Sequence, residues 1–540
     1  MRRFLLPCSG VLALIGGCGL VGTYDYDNYE GPPPAESSSS SGTAGMGGMG
    51  GTAGMGGMPP VCPPPGGMTT PDLCDNGEDE DCSGGDCSVK SAWSGRYGDT
   101  YMQRVFGVAP TLEEGIALAG EFAGRLAFEG AEITNFDSKN RLKPFVARLD
   151  TNGTVKLVRP LDAPTSFGTS NGVAVQGGDT FVIGTIDKYD PMTDVYTETS
   201  IIVQKHDLAM AHMPWTIHST ASEKPNTDGI SIGTTNSAGA PVYIAGNVVG
   251  TMNLFASCPN APTTIAGKKY FFLMELEPKN GACQFVRVFE RGSSNPPPRI
   301  TDMVVTPDTV AFTGYYTKND LDLGAPAPAT TGTTSFVLAY HPSTHIEQLR
   351  AFANPTGAGV ISFFSITSDS KGRLYAAGTF KGSVDLGGKT YTSGNSGTDF
   401  DSLVVAFAQG NPMDPLWVSR FGGPDLQNVT DIVASNDAIY LTGTTPIGMA
   451  IQPGMDSGPL CDKSRCNYLL KLHPDTGATL WGKAFEGGES QTGAIALLAA
   501  TPSALWLGSW WSASTNFGNM PLPTNDLSID VLLARFSPRP

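Results

Sequence analysis

A short apolar segment that ends in glycine recurs seven times along the chain at nearly constant spacing. One copy is Tyr375-Ala376-Ala377-Gly378. Successive copies lie 64, 62, 68, 64, 65 and 65 residues apart, and their glycines are Gly120, Gly184, Gly246, Gly314, Gly378, Gly443 and Gly508. A fixed period of this kind is typical of a protein built from stacked supersecondary units.

Three further strands follow the same period. A short apolar strand precedes each glycine strand, an alternating strand follows it, and a fourth strand begins with a large apolar residue. The residues that begin the fourth strand are Trp93, Leu157, Trp215, Phe285, Leu349, Trp417 and Trp481. Four short strands per unit are the pattern of a propeller blade. We therefore predict an all-β fold, a seven-bladed β-propeller over residues 91–540. A two-sheet sandwich array is the alternative, but it has no reason to repeat seven times at one period.

The two ends of the repeat region complement each other. Trp93 begins a strand of the fourth kind with no blade before it, whereas the last unit stops at Phe536 without such a strand. We therefore predict that residues 91–98 pair with the final blade. This pairing would close the ring and leave no blade exposed.

The repeats also resemble a known family. The units fit best from Trp417 to Gly423 and from Asp431 to Gly443. These segments resemble the bacterial β-propeller repeat called SBBP, whose consensus is Trp, then Phe-Gly-Gly, then the strands Asp-Ile-Ala-Val-Asp and Gly-Asn-Val-Tyr-Val-Thr-Gly. The resemblance extends over most of residues 93–540 and is weakest in the second unit. It implies a propeller fold.

The N-terminus has the features of a secretory signal. Arg2 and Arg3 precede a mostly apolar stretch, Phe4 to Ile15, that is too short to span a bilayer as a stable helix. The sequence Ile-Gly-Gly-Cys that ends at Cys18 resembles the lipobox of bacterial lipoproteins. The resemblance implies that residues 1–17 are removed and that Cys18 carries acyl chains, which would hold the protein at the bacterial outer membrane or cell surface. A plain signal peptide cleaved nearby is the alternative.

Residues 18–61 lack apolar periodicity. The run Ser37 to Ser41 is followed by Gly-Thr-Ala-Gly-Met-Gly-Gly-Met, which begins at Gly42 and again at Gly51. A segment of this composition has no side chains with which to build a core. We therefore expect a disordered tether between the anchor and the rest of the protein.

Residues 62–90 form an acidic, cysteine-rich module. Its central sequence, Cys-Asp-Asn-Gly-Glu-Asp-Glu-Asp-Cys-Ser-Gly-Gly-Asp-Cys at 74–87, resembles the metal-binding module named after the copper-binding protein MopE. Closely spaced carboxylates around a turn-forming glycine suit Ca²⁺, and no histidine lies nearby to favour copper. A disulfide-closed knot that holds no specific ion is the alternative. The predicted ligands are Asp75, Asn76, Asp79, Asp81 and Asp86.

The remaining cysteines fall in local sets. An even number of cysteines in an exported protein indicates disulfide bonds. We expect Cys258 to pair with Cys283, and Cys461 with Cys466, because each pair would close a local loop. The connectivity within the first set stays open. That set is Cys62, Cys74, Cys82 and Cys87.

Residues that suggest catalysis fall on repeat positions. The segment from Gly229 to Gly233 matches the Gly-x-Ser-x-Gly pattern of a nucleophile, but that pattern needs a strand-to-helix turn. Here it coincides with the first strand of the third unit. His206, His341 and His473 all occupy the turn that follows the third strand. The sequence therefore predicts no catalytic set.

Three aspartates, Asp228, Asp302 and Asp431, share a position just ahead of the first strand of their units. That strand usually lines the central channel of a propeller. The three carboxylates are therefore a candidate site at the channel mouth for a cation or a polyhydroxylated ligand, although capping of local turns is the favoured interpretation. In the alternative, each carboxylate bonds local backbone amides.

The formal charge of −17, without any cluster of Lys or Arg, argues against nucleic acid as a partner. We expect a monomeric, non-catalytic surface propeller that binds a protein or a glycan and carries a calcium-binding acidic module. Two alternatives remain. One is a propeller enzyme, a hydrolase or lyase of polysaccharide that uses the channel carboxylates, and the other is a surface protein that sequesters metal.

Overall fold

The computed structural model describes Asp72–Leu73 and residues 91–536, with gaps at 138, 162–165, 191–192, 194–195, 208–214, 221–227, 236, 252–256, 260–267, 292–298, 318–332, 353–358, 395–398, 424–426, 436, 446–465, 487–496, 502, 512–514, 518–520 and 523–528. The described part confirms an all-β fold of seven four-stranded blades. Within it, no helix is long and apolar enough to cross a membrane. Several predicted residues lie outside the described part, namely Cys18, Cys62, Cys74, Asp75, Asn76, Asp79, Asp81, Cys82, Asp86, Cys87 and Cys461.

The strands are numbered in chain order, and each blade runs from its innermost to its outermost strand. Two strands precede the first blade, β1 (Asp72–Leu73) and β2 (Ser91–Tyr97). Blade 1 contains β3 (Gln103–Pro110), β4 (Ile116–Phe122), a hairpin of β5 (Gly124–Phe128) and β6 (Ala131–Asn135), β7 (Lys143–Leu149) and β8 (Val155–Pro160). Blade 2 contains β9 (Ser166–Gln176), β10 (Asp179–Tyr189), β11 (Tyr196–His206) and β12 (Trp215–Thr220). Blade 3 contains β13 (Asp228–Thr234), β14 (Val242–Val249), β15 (Lys269–Leu276) and β16 (Cys283–Arg291).

The other four blades follow the same plan. Blade 4 contains β17 (Arg299–Val305), β18 (Val310–Thr317), β19 (Thr333–His341) and β20 (Ile346–Ala351). Blade 5 contains β21 (Val360–Ser368), β22 (Leu374–Lys381), a hairpin of β23 (Ser383–Leu386) and β24 (Lys389–Thr392), β25 (Phe400–Ala408) and β26 (Asn411–Phe421). Blade 6 contains β27 (Asn428–Ala434), β28 (Ile439–Thr445), β29 (Cys466–Leu472) and β30 (Thr479–Glu486). Blade 7 contains β31 (Leu497–Ala500), β32 (Leu505–Trp511), a hairpin of β33 (Thr515–Asn516) and β34 (Pro521–Leu522), and β35 (Asp530–Phe536).

The seven innermost strands form a circle. Each contacts the innermost strand of the next blade, and β31 of blade 7 contacts β3 of blade 1. The glycine strand and the strand after it are almost completely buried, as in β4 and β14, because both of their faces pack against neighbouring blades. The core is therefore a ring of interfaces between blades.

The N-terminal strand closes this ring, as predicted. β2 pairs antiparallel with β35, from Ser91 opposite Phe536 to Tyr97 opposite Val531, and so forms the outermost strand of blade 7. Arg96 donates from Nε to Oδ2 of Asp530 at 2.5 Å. Blade 7 is thus built from both ends of the repeat region.

The two faces of the propeller differ in their connections. At one end of each blade, which we call the turn face, the first strand joins the second and the third joins the fourth, with turns as short as 177–178 and 306–309. At the opposite end, the loop face, the second strand joins the third and one blade joins the next. The loop face carries the long connections 250–268, 318–332 and 446–465, and the three inserted hairpins branch from connections of the same kind.

Tryptophans of the outermost strands form hydrogen bonds with the neighbouring blade. Nε1 of Trp215 donates to the carbonyl oxygen of Pro278 at 3.1 Å, and Nε1 of Trp417 donates to that of Pro474 at 3.0 Å. Both prolines lie in the turn between the third and fourth strands of the next blade. The turn between the third and fourth strands of blade 1 contains Gly153, which packs against Trp93 of blade 7 at a φ of +80°.

One disulfide is confirmed within the described residues. Cys258, in the loop-face connection of blade 3, is bonded to Cys283 at the start of β16. Cys466 is also disulfide-bonded, while its predicted partner Cys461 lies in a gap. β1 pairs in parallel with Trp481 and Gly482 of β30, so Asp72 and Leu73 lie at the outer edge of blade 6.

Candidate functional site

A β-bulge interrupts the innermost strand of blades 1 to 6. In blade 6, Val429 pairs with Gly443 and Asp431 pairs with Thr442, so Thr430 is the extra residue. This geometry explains the recurring glycine. A Cβ on Gly443 would lie 1.8 Å from the carbonyl oxygen of Asn428, a distance that no side chain tolerates. In blades 1, 2, 4, 5 and 6 the recurring glycine therefore marks the place where the second strand approaches the bulged backbone.

The bulge fixes which residues of different blades occupy equivalent positions. The residue after the bulge is Gly107 in blade 1, Gly172 in blade 2, Ser231 in blade 3, Asp302 in blade 4, Ser365 in blade 5 and Asp431 in blade 6. Asp302 and Asp431 are thus equivalent, as predicted. The placement of Asp228 at the same position is wrong, because Asp228 pairs with Asn247, three residues before Ser231.

The two aspartates lie in the middle of their strands and not ahead of them. Asp302 is the fourth residue of β17, and Asp431 is the fourth residue of β27. The expected position at the channel mouth is therefore corrected to one inside the channel wall. Each residue as a whole is partly exposed, while its carboxyl group is directed to the backbone of a neighbouring blade.

Ser365 of blade 5 joins the two carboxylates. Its Oγ lies 2.6 Å from Oδ1 of Asp431 and 2.9 Å from Oδ2 of Asp302. Ser365 itself is buried. Ser231 of blade 3 also bonds Asp302 through its side chain. A chain of four polar side chains from blades 3, 4, 5 and 6 therefore follows one part of the channel wall.

Each carboxylate also accepts backbone hydrogen bonds from two blades. Asp302 accepts from N–H of Met303 at 2.7 Å in its own strand and from N–H of Ile366 in blade 5 at 2.9 Å. Asp431 accepts from N–H of Ile432 at 2.8 Å and from N–H of Leu498 in blade 7 at 2.7 Å. These bonds agree with the alternative in which each aspartate bonds backbone amides, and they tie blades 4 to 7 together.

The number of hydrogens available shows that Asp302, Ser365 and Asp431 share a proton. The hydroxyl of Ser365 has one hydrogen and donates to one carboxylate only, so the short contact to the other needs a proton on that carboxyl. Burial raises the pKa of Asp302 to about 6. Burial and the negative charge of Asp302 raise the pKa of Asp431 to about 7. A protonated Asp431 therefore donates to Ser365, which donates to an ionised Asp302.

Sequence reasoning missed Ser231 and Ser365. A signal for both was present, because each precedes an isoleucine in the same way that Asp431 precedes Ile432. Alignment on that apolar residue would have placed all of them together. Among the described residues, no group of three or more His, Cys, Asp or Glu side chains is arranged to hold a metal ion.

The other sequence candidates occupy structural positions. Ser231 lies inside β13, with no strand-to-helix turn around it. His206 and His341 end the third strands of their blades, and His473 follows β29. Burial and the charge of Arg159 lower the pKa of His206 to about 4, so this imidazole is neutral at physiological pH.

Comparisons with known proteins reach no further than the fold. No family model and no curated protein matches this sequence. Similar solved structures include phage phi92 endosialidase, at 11% identity and a TM-score of 0.37 over 84% of this chain and 70% of that chain. The polysaccharide lyase Uly1 has 8% identity and a TM-score of 0.41 over 80% of this chain and 89% of that chain. The β-propeller domain of the Trilobed protease from Pyrococcus furiosus has 6% identity and a TM-score of 0.28 over 66% and 95%. At these TM-scores, the likenesses carry no argument about function.

Proposed function

We propose that this chain is a lipid-anchored surface protein whose propeller binds a protein or a glycan at its loop face, without catalysing a reaction. The contrast between the two faces carries the proposal. Blades whose strands are joined by turns as short as two residues at one end carry connections such as 250–268, 318–332 and 446–465 at the other. Long loops on a rigid scaffold are where proteins most often place their binding residues.

The carboxylate pair supports binding over catalysis. Asp302 and Asp431 are engaged with the backbone amides of Ile366 and Leu498 across blade boundaries. Their shared hydroxyl, Ser365, is buried and bonds both carboxylates, so it is held within the contact between blades. The two carboxylates therefore stabilise the contacts between neighbouring blades.

The proposal is tested by binding experiments on the full chain. A loop-face variant replaces residues 318–332 by a two-residue Asn-Gly turn, which suits an antiparallel connection. A control variant, Leu112→Ser, changes an exposed residue of the turn face. The wild type is applied to a glycan array and used to capture proteins from cell envelopes. We expect a ligand that the control retains and the loop-face variant loses, without substrate turnover. Equal binding by both variants would contradict the proposal.

A polysaccharide hydrolase or lyase is the second candidate. The observation that favours it is a carboxyl inside the channel that holds a proton near neutral pH, as a general acid must. Asp431→Asn would then abolish turnover of a polysaccharide while the fold is retained. The non-catalytic proposal instead expects no turnover by either protein. Product release from a polysaccharide panel, measured by reducing-end or ultraviolet assay, separates the two.

The lipid anchor and the calcium module are proposals of their own. Metabolic labelling with a palmitate analogue should mark the wild type and leave Cys18→Ser unmarked. For the module, the donor set of Asp75, Asn76, Asp79, Asp81 and Asp86 is all oxygen, which suits Ca²⁺. Calorimetric titration of the full chain with CaCl₂ should give heat that is lost when Asp79 and Asp81 are both changed to Asn. Equal heat from both proteins would place calcium elsewhere, and no heat from the wild type would remove the proposal.

A further inference from the structure

The indole of Trp481 carries a buried hydrogen-bond donor. Trp481 lies in β30, the outermost strand of blade 6, and only 7% of its surface is exposed. It belongs to one buried cluster with Leu505, Ala534 and Phe536 of blade 7. Among the described residues, its Nε1–H has no hydrogen-bond acceptor. A buried N–H group without an acceptor is costly, so an acceptor is expected close to this indole.

Two other blades show which group accepts from a tryptophan at this position. Nε1 of Trp215 in blade 2 donates to the carbonyl oxygen of Pro278 at 3.1 Å, and Nε1 of Trp417 in blade 5 donates to that of Pro474 at 3.0 Å. Each acceptor belongs to the turn between the third and fourth strands of the next blade. The acceptor for the indole of blade 6 is therefore expected in blade 7, after its third strand.

The indole of blade 6 has the same neighbours as the other two. On the third strand a lysine lies opposite the indole in blades 2 and 6, Lys205 and Lys471 respectively. An aromatic ring of the second strand also lies beside each indole. The pairs, with the distance between ring centres, are Phe181 and Trp215 at 5.9 Å, Tyr375 and Trp417 at 5.8 Å, and Tyr440 and Trp481 at 6.4 Å. The three indoles are therefore equivalent in their blades.

The place of the acceptor is fixed by strand register. It lies three residues after the third-strand residue that is opposite the large apolar residue of the fourth strand. The pairs in blades 3 and 6 are Glu275 with Pro278 and Lys471 with Pro474. In blade 7, Arg535 lies opposite Trp93 of β2, and the sequence three residues later has Pro538. Blade 7 thus has a proline at the acceptor position, although no turn joins β35 to β2.

We propose that Nε1–H of Trp481 donates to the carbonyl oxygen of Pro538, so that residues 537–540 cover the groove between blades 6 and 7 at the turn face. In blades 3 and 6 the turn after the third strand covers the equivalent groove. Blade 7 takes its fourth strand from β2 and lacks that turn. The ring is then closed at two places, by β2 within blade 7 and by residues 537–540 against blade 6. The binding proposed for the loop face does not depend on this contact.

Hydrogen exchange of the indole tests the proposal in the full chain. In protein labelled with ¹⁵N-tryptophan, the indole signal of residue 481 is the one that disappears in Trp481→Phe. We expect its N–H to exchange slowly in wild type and at least tenfold faster in a chain that stops at Phe536. The indole of Trp417 is the matched control, because the truncated chain keeps its acceptor Pro474, and its exchange should not change.

A double-mutant cycle measures the same bond through stability. Truncation after Phe536 should lower the equilibrium constant for folding about tenfold in urea titrations, or about 1.4 kcal/mol. The same loss is expected when the truncation is made in Trp417→Phe. In Trp481→Phe the loss should be much smaller, because the donor is already absent.

Three results would overturn the inference. One is slow exchange of the Trp481 indole in the truncated chain, which would place its acceptor elsewhere, and another is fast exchange already in wild type. The third is an equal effect of truncation in Trp481→Phe and Trp417→Phe. If Trp481→Phe does not fold, the truncated chain alone decides, because it should have one slowly exchanging indole fewer than wild type among the seven tryptophans.

Discussion

The substitution Asp431→Asn tests the proton that the channel carboxylates share. Burial and the charge of Asp302 raise the pKa of Asp431 from 3.8 to about 7. Because the folded-state pKa lies above the unfolded value, the folded protein holds this proton more tightly. The stability that the protonated carboxyl contributes is therefore fully present below 3.8 and is lost as the pH rises to about 7.

The size of the effect follows from the length of that interval. At 1.36 kcal/mol per pKa unit, the wild type loses roughly 3 kcal/mol of stability between pH 5 and the folded-state pKa of about 7. Asparagine keeps the shape of the side chain and removes the titrating proton. It also leaves N–H of either Ile432 or Leu498 without an acceptor, which costs about 1–3 kcal/mol. The variant should therefore be less stable than wild type at pH 5 and should recover most or all of that difference by pH 8.

Urea unfolding of the full chain, followed by circular dichroism at pH 5 and pH 8, measures this difference. Asp150→Asn is the control. Burial would raise the pKa of Asp150, but the bonds from Lys156 and from N–H of Asn152 and Thr154 outweigh it and lower the pKa. Asp150 is ionised at both pH values, so its substitution should cost the same at both. Unfolding midpoints of wild type and Asp431→Asn that shift in parallel with pH would refute the shared proton.

Three further predictions concern the ring. Deleting residues 91–97 removes the outermost strand of blade 7, so the melting temperature should fall and protease should cut between 497 and 536. Deleting residues 19–61 is the control and should change neither property. An unchanged melting temperature after the first deletion would contradict ring closure by this strand. Gly153→Ala places a Cβ 2.0 Å from Trp93 at a φ of +80°, whereas Gly388→Ala has the same φ and no neighbour within 4 Å. The free energy of unfolding should therefore fall by about 1–3 kcal/mol more in Gly153→Ala than in Gly388→Ala. Equal losses would argue against packing of Gly153 on Trp93. Replacing both Cys258 and Cys283 by Ala should lower the free energy of unfolding by about 2–4 kcal/mol in non-reducing urea titrations, and a variant as stable as wild type would show that the disulfide constrains nothing.

The repeat glycines show how a contact between two adjacent strands makes the whole fold recognisable in the sequence. Five of them, in blades 1, 2, 4, 5 and 6, lie against a bulged neighbouring strand too closely for a side chain, as Gly443 does against Asn428. That constraint depends on two adjacent strands only, so it is visible in the sequence as a fixed spacing. Blade number, ring closure by residues 91–97 and the local disulfide of Cys258 all follow from spacing and chain order.

The site depends on information that spacing does not contain. Asp228 and Asp302 each precede a short apolar stretch and so align by sequence, although the strand register makes Ser231, three residues after Asp228, the equivalent of Asp302. The partners of Asp431 come from blades 5 and 7, more than 60 residues away in either direction. No local pattern reports such contacts, or the burial and the nearby charge of Asp302 that raise the pKa of the carboxyl.

The exposure of a side chain depends on tertiary structure in the same way. A phenylalanine in a β-rich sequence is expected in the core, but Phe136 is 74% exposed. The sequence alone determined the architecture, because a propeller is a sum of local units and nearest-neighbour interfaces. Tertiary structure alone decided which side chains meet in the channel and which remain exposed, because both properties arise from residues that the closed ring brings together.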